Sequence, residues 1–193
     1  MQVRADIDDF RVLLIEQRPR HLASANEFFA PLFRARVSSE MAQTASNALA
    51  KLRQRVFYFD LVLVNADFDE PFYADKAMPM PPHDGLTAGE VFALMAVERD
   101  SNVQCIVVRD RKIEMPSPAF PKERAGGRIA FVSANDAKWS GWWDDGEQKL
   151  VSKEEGPVPQ GKPIVIDWRK AISLSKLVPD FERYTIAPEA VMS

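Results

Sequence analysis

The chain has 193 residues, of which 46% are hydrophobic and 27% charged, the composition of an ordinary globular protein. That excludes a disordered tail, a collagen-like chain and a disulfide-stapled mini-protein, and the length suits one domain with insertions over residues 1–193 better than two. The formal charge of −3, from 25 basic and 28 acidic residues, shows no basic excess of the kind that marks nucleic-acid binding.

Cys105 has no second cysteine to pair with, which fits a reducing compartment. One cysteine and two histidines are too few for a zinc cage. The opening residues, MQVRADIDDF, carry acids where a secretory signal would need an apolar run. No stretch approaches the roughly 18 apolar residues of a membrane span. A cytoplasmic protein with no membrane and no nucleic-acid partner is the expectation. The charge is uneven: residues 1–55 carry +3, residues 56–100 carry −7, and residues 101–193 carry +1. The acidic middle, with Asp67, Asp69, Glu70, Asp75 and Asp84, is either a solvated loop or a site for a cation or basic partner.

In chain order, Phe10 to Ile15 (FRVLLI) is a short apolar run that predicts a buried strand. Leu22, Ala25, Phe28, Phe29 and Leu32 then recur at helical spacing, and Pro31 should end that helix or sit just past its end. Phe33 to Ser38 alternates like a half-exposed strand. Met41 to Leu52 reads as a second helix, capped by Ser38 or Ser39. Phe57 to Val64 (FYFDLVLV) reads as a central strand. Residues 65–85 form an acidic connection in which Pro79, Pro81 and Pro82 exclude helix. Thr87 to Glu98 is a third helix, and Val103 to Val108 (VQCIVV) another buried strand, with Cys105 packed in its middle.

Beyond it, Met115 to Pro121 (MPSPAFP) is an excursion, and Arg128 to Ser133 (RIAFVS) is a candidate fifth strand. Residues 135–160 hold Trp139, Trp142 and Trp143, and Asp145-Gly146 suits a hairpin turn. Pro163 to Trp168 (PIVIDW) is a last strand candidate, and Arg169 to Leu177 a last helix. The β-α-β-α-β-α-β order argues for a doubly wound parallel sheet with helices on both faces. His21 and His83 have no visible catalytic partners and read as surface histidines.

Several of these segments resemble the receiver domains of response regulators. RVLLIEQRP resembles the family's first strand, with Glu16 and Gln17 at the acidic-pair positions and Pro19 at the proline that follows. TASNALAKL resembles the second helix, and FDLVLVN the third strand, whose last position is the phosphorylated aspartate. Here that position is Asn65. Met80, Pro81, Asp84 and Gly85, within MPPHDGLTAGEVFALM, resemble the Met-Pro and Asp-Gly turn before the third helix. The likeness covers residues 10–110, leaving 111–160 as insertions with a Trp-rich arm and 161–193 as a terminal strand, helix and tail. An insertion of about a dozen residues after Asn65 departs from the family.

The resemblance implies a five-stranded sheet in the order 2-1-3-4-5, with an inserted loop or hairpin arm in the C-terminal half. It also implies what is missing. A receiver aspartate attacks phosphorus while Mg²⁺ neutralises the phosphoryl oxygens. Asn65 cannot accept a phosphoryl group, Gln17 removes a second charge, and Arg109 falls where the family places a hydroxyl. Glu16, Gln17, Asn65 and Arg109 would thus form a degenerate pocket, with Lys162 of Lys162-Pro163 as a candidate pocket lysine. Arg109 would pair with Glu16 or with the acidic loop, or else point to solvent.

The function implied is a phosphorylation-independent signalling module, not an enzyme, with no cofactor. It would bind another protein or itself, as a homodimer, with Trp139, Trp142 and Trp143 as the candidate contact surface because tryptophan is enriched at binding hot spots. The other reading of these indoles is that the arm folds back and they cover the core. Two alternatives compete. Glu16 with Asp67 and Asp69 resembles the acidic set of Toprim domains, which hold Mg²⁺ for phosphodiester chemistry. A small-molecule or nucleotide binder would instead use the carboxyl ends of the strands, with Arg18 and Arg20 meeting an anion, although no glycine-rich loop follows the first strand.

Overall fold

A computed structural model of the chain describes residues 9–54, 59–68, 84–109 and 116–186. Strands β1 (Phe10–Ile15), β2 (Val37–Ala42), β3 (Leu61–Asn65), β4 (Gln104–Arg109) and β5 (Ile129–Ser133) form one sheet in the order β2-β1-β3-β4-β5. Every pairing is parallel. This is the flavodoxin-like order, in which the winding reverses between β1 and β3. It is the order expected from the sequence, and β5 is the RIAFVS run.

Helices cover both faces. Side chains alternate along a strand, so Leu13 and Ile15 of β1, Val62 and Val64 of β3, and Cys105 and Val107 of β4 face helices α2 (Ala45–Arg53) and α3 (Ala88–Arg99). Phe10, Val12, Leu14, Leu61, Leu63, Ile106 and Val108 face α1 (Pro19–Phe29) and α5 (Trp168–Ser175). Burial on both sides explains why these strands are continuous apolar runs. Cys105 is fully buried, and burial raises its thiol pKa well above the ordinary range, so it packs and does not react. A short helix, α4 (Lys122–Ala125), lies against α3, and near α6 (Glu182–Thr185) Phe181 meets Phe10 edge-on while Tyr184 packs on it at a tilt.

Some boundaries differ from the sequence expectation. The second strand begins at Val37, not Phe33, because the chain continues past α1 as a 3₁₀ turn over Ala30–Arg34. Pro31, which has no N–H for the α-pattern, sits within that turn. Met41 therefore lies in β2, and α2 is capped by Thr44, whose Oγ1 accepts from Asn47 N at 3.1 Å. The third helix is capped by Thr87 and Glu90 acting reciprocally. PIVIDW is not a sheet strand. It contributes one antiparallel bridge, Lys138 to Ile166, before α5 begins. A hairpin, β6 (Trp142–Asp144) with β7 (Lys149–Val151), turns at Asp145-Gly146, where Asp144 Oδ1 accepts from Gly146 N and Glu147 N. None of the described helices is long and apolar enough to cross a membrane.

Leu63 is fully buried at the centre of the α1/α5 face. Its replacement by alanine should lower stability by about 2–5 kcal/mol, read as a drop in the urea midpoint with an unchanged slope.

Candidate functional site

Ligands of doubly wound sheets bind beyond the carboxyl ends of the strands, at the point where the winding reverses. Here Glu16 follows β1 and Asn65 ends β3. Both continue the alternation of Leu14 and Leu63, so both side chains fall on the α1/α5 side. Asn65 Nδ2 donates to Glu16 Oε2 at 2.7 Å. The other oxygen, Oε1, accepts from Gln17 N at 2.7 Å and Arg18 N at 2.8 Å. Gln17 thus contributes its backbone N–H to the carboxylate. Glu16 is 1% exposed and Asn65 fully buried. A buried carboxylate is tolerable because these donors replace the water it has lost, and the N-terminus of α1 adds a favourable dipole.

Asn65 Oδ1 accepts from Asp67 N at 2.9 Å, which turns the chain so that Asp67 meets β4. Arg109, the last residue of β4, places Nε 3.6 Å from Asp67 Oδ1, with the two side chains only 7% and 10% exposed. Arg109 therefore pairs with the acidic segment after β3 and does not point to solvent. Arg18 Nη2 reaches the Asp67 carbonyl at 3.5 Å. The cluster is supported from behind by α3. A Cβ on Gly89 would lie 2.6 Å from the Asn65 carbonyl oxygen and 2.7 Å from Ala66 Cα, so only glycine lets α3 approach the end of β3 this closely. The next residue, buried Glu90, accepts from Ser117 N and Ser117 Oγ, tying the segment after β4 to α3.

The remaining candidates lie elsewhere. Lys162 does not follow β5. It comes after the hairpin, and its Nζ lies 3.8 Å from Asp145 Oδ2 on the hairpin turn. The residue after β5 is Ala134. Trp143, expected with its neighbours at a contact surface, is only 6% exposed and packs within the fold, while Trp139 and Trp142 are half-buried. Asp69 and His83 lie outside the described residues. Among the described residues, no group of three or more His, Cys, Asp or Glu side chains could hold a metal ion.

Sequence reasoning missed His21. It is fully buried, not a surface residue. Its Nδ1 accepts from Ile166 N at 3.1 Å and its carbonyl from Trp168 Nε1 at 2.9 Å. Ser24 Oγ donates to the Ile166 carbonyl at 2.8 Å, and Arg20 Nε to the Ile164 carbonyl at 2.9 Å. Three polar residues of α1 thus hold the extended segment that returns from the hairpin. The only hint in the sequence is their spacing of one and three residues on one helix.

Neither a family model nor a curated protein matches the chain. It is similar to solved structures. One is a CheY-like response regulator receiver domain from Methanospirillum hungatei JF-1, at 16% identity and TM-score 0.45, covering 65% of this chain and 81% of that one. Another is the signal receiver domain of an HD domain-containing protein from Pseudomonas fluorescens Pf-5, at 18% and 0.43, covering 72% and 87%. A third is a response regulator receiver protein from Sinorhizobium medicae WSM419, at 15% and 0.41, covering 66% and 84%.

Asn65→Asp replaces the 2.7 Å hydrogen bond with two facing carboxylates. At neutral pH the variant should lose about 1–3 kcal/mol. The loss should shrink as pH falls, because a proton bound by the folded pair, and not by the unfolded chain, removes the repulsion. Chemical denaturation at several pH values reads this directly.

Proposed function

We propose that this chain is a receiver-like regulatory module that acts without phosphorylation, by binding another protein or a second copy of itself. The observation that carries the reading is the amide of Asn65 at the end of β3, hydrogen-bonded to Glu16. A phosphoacceptor needs a carboxylate oxygen able to attack phosphorus, and an amide offers none. Glu16 is committed to Asn65 Nδ2 and two backbone N–H groups.

Charge supports the same reading. Hard divalent cations such as Mg²⁺ are held by anionic oxygens. At this edge the carboxylates of Glu16 and Asp67 are accompanied by the guanidinium groups of Arg109 and Arg18. A receiver-like site with that balance has little net field to recruit the metal or its phosphodonor. The ion pair of Arg109 and Asp67 instead ties the end of β4 to the segment after β3, holding one arrangement of the loops without an added phosphate. A module set in this way recognises and does not catalyse.

Incubation with acetyl phosphate and Mg²⁺ should leave the intact mass of the protein unchanged. Its elution volume in size-exclusion chromatography should be equally unaffected. A phosphoryl group found by mass spectrometry on any aspartate of the segment that follows Asn65 would overturn the proposal.

A further inference from the structure

The excursion between β5 and α5 builds a second concavity, on the face of α1 away from the strand ends. It holds about 200 Å³ and is lined by Phe28, Trp139 and Trp168, with Glu27, Asp167 and Arg169 at its polar margin. Its aromatic wall is held in place. Trp168 is 1% exposed, with Nε1 bonded to the His21 carbonyl. Trp139 is anchored by its backbone N–H on the Val165 carbonyl at 2.8 Å. Its ring lies over Gly141, where a Cβ would stand 2.4 Å from Cζ3, so glycine alone permits the indole to lie there.

The polar margin carries two carboxylates, Glu27 and Asp167, and the guanidinium of Arg169, which also faces Asp167. Arg169, its cation, is engaged by Glu182, with Nε at 3.1 Å and Nη2 at 2.6 Å from the carboxylate. The Glu182 carboxyl is held below its usual range by that guanidinium, as a retained ion pair requires. Asp167 uses Oδ1 to cap α5 through Lys170 N at 3.0 Å. Among the described residues, nothing hydrogen-bonds to the carboxylate of Glu27 or to Asp167 Oδ2. A small cleft with indole and phenyl walls and carboxylates at the rim is the chemistry that selects a weakly hydrated organic cation, through the negative ring face and the nearby charge.

We propose that this cleft binds a compact organic cation, an alkylated ammonium or a guanidinium, seated against Trp139 with Glu27 and Asp167 beside its charge. The cation is either a free small molecule or the end of a side chain presented by another protein. The site is independent of the phosphate-free reading of the strand ends, since it shares no residue with them.

The test follows the indole ¹⁵N–¹H signals of the four tryptophans of the full chain during titration. The probes are choline, its neutral carbon isostere dimethylbutanol, and blocked amides of arginine and trimethyl-lysine. A cationic probe should shift the Trp139 signal saturably, and the neutral isostere should bind at least about tenfold more weakly. Tighter binding of the blocked amides assigns the cation to a partner's side chain, and tighter binding of choline assigns it to a free molecule. Either result supports the site. Glu27→Gln, an exposed change that leaves the packing alone, should weaken the cation by about threefold. Trp139→Phe should weaken it further while the spectrum stays folded. Equal affinity for choline and its isostere, no saturable shift at Trp139, or unchanged affinity in Glu27→Gln would each overturn the proposal.

Discussion

The hydrogen bond from Asn65 to Glu16 joins β1 to β3 at the place where the winding of the sheet reverses. It satisfies two buried polar side chains at once, and each of its members organises a further turn of chain. Glu16 gathers the backbone N–H groups that lead into α1, and Asn65 gathers the N–H of Asp67, which in turn meets Arg109 at the end of β4. The carboxyl ends of three neighbouring strands are thereby linked through one polar chain. In a low-dielectric setting such a network is stabilising only when its members are satisfied. A neutral amide in the middle is what allows a carboxylate to sit there without an added cation.

Much of the fold was legible because burial on both faces leaves a direct trace. The runs FRVLLI and VQCIVV are mostly apolar and supply β1 and β4, and the expected strand Phe57 to Val64 supplies β3 from Leu61 onward. The third helix was placed at Thr87 to Glu98 and runs Ala88–Arg99, and the structure adds a reciprocal cap of Thr87 and Glu90 at its start. Where the reading slipped, the deciding force was tertiary. Residues 33–38 alternate like a strand, yet the 3₁₀ turn after Phe29 delays pairing until Val37 meets Phe10. PIVIDW has strand composition, but the sheet edge beside β4 is taken by RIAFVS, so the later segment docks on α1 instead.

The site was legible in part for the same reason. Glu16, Asn65 and Arg109 stand at strand ends, and strand ends could be counted. That Arg109 would choose Asp67 over Glu16 depends on the turn made by Asn65 Oδ1, which no residue pattern reveals. Lys162 was misplaced because a Lys-Pro pair says nothing about the 28 residues that separate it from β5. His21 was missed because one buried histidine has no periodic signature; its burial follows from the Ile166 N–H that reaches it from 145 residues away. The tryptophans divide between roles: Trp143 is packed inside, while Trp139 and the buried Trp168 line a cleft.

These features describe a doubly wound fold whose switch-point side chains pair with one another, with an added excursion clamped to α1. The account stands on Glu16 and Asn65 being satisfied by each other and by neighbouring backbone N–H groups. An NMR titration with Mg²⁺ that follows the side-chain amide of Asn65 and the backbone amides of Gln17 and Arg18 tests this most directly. The account predicts no saturable shift through the millimolar range. A saturable shift of those signals that disappears in Glu16→Gln would contradict it.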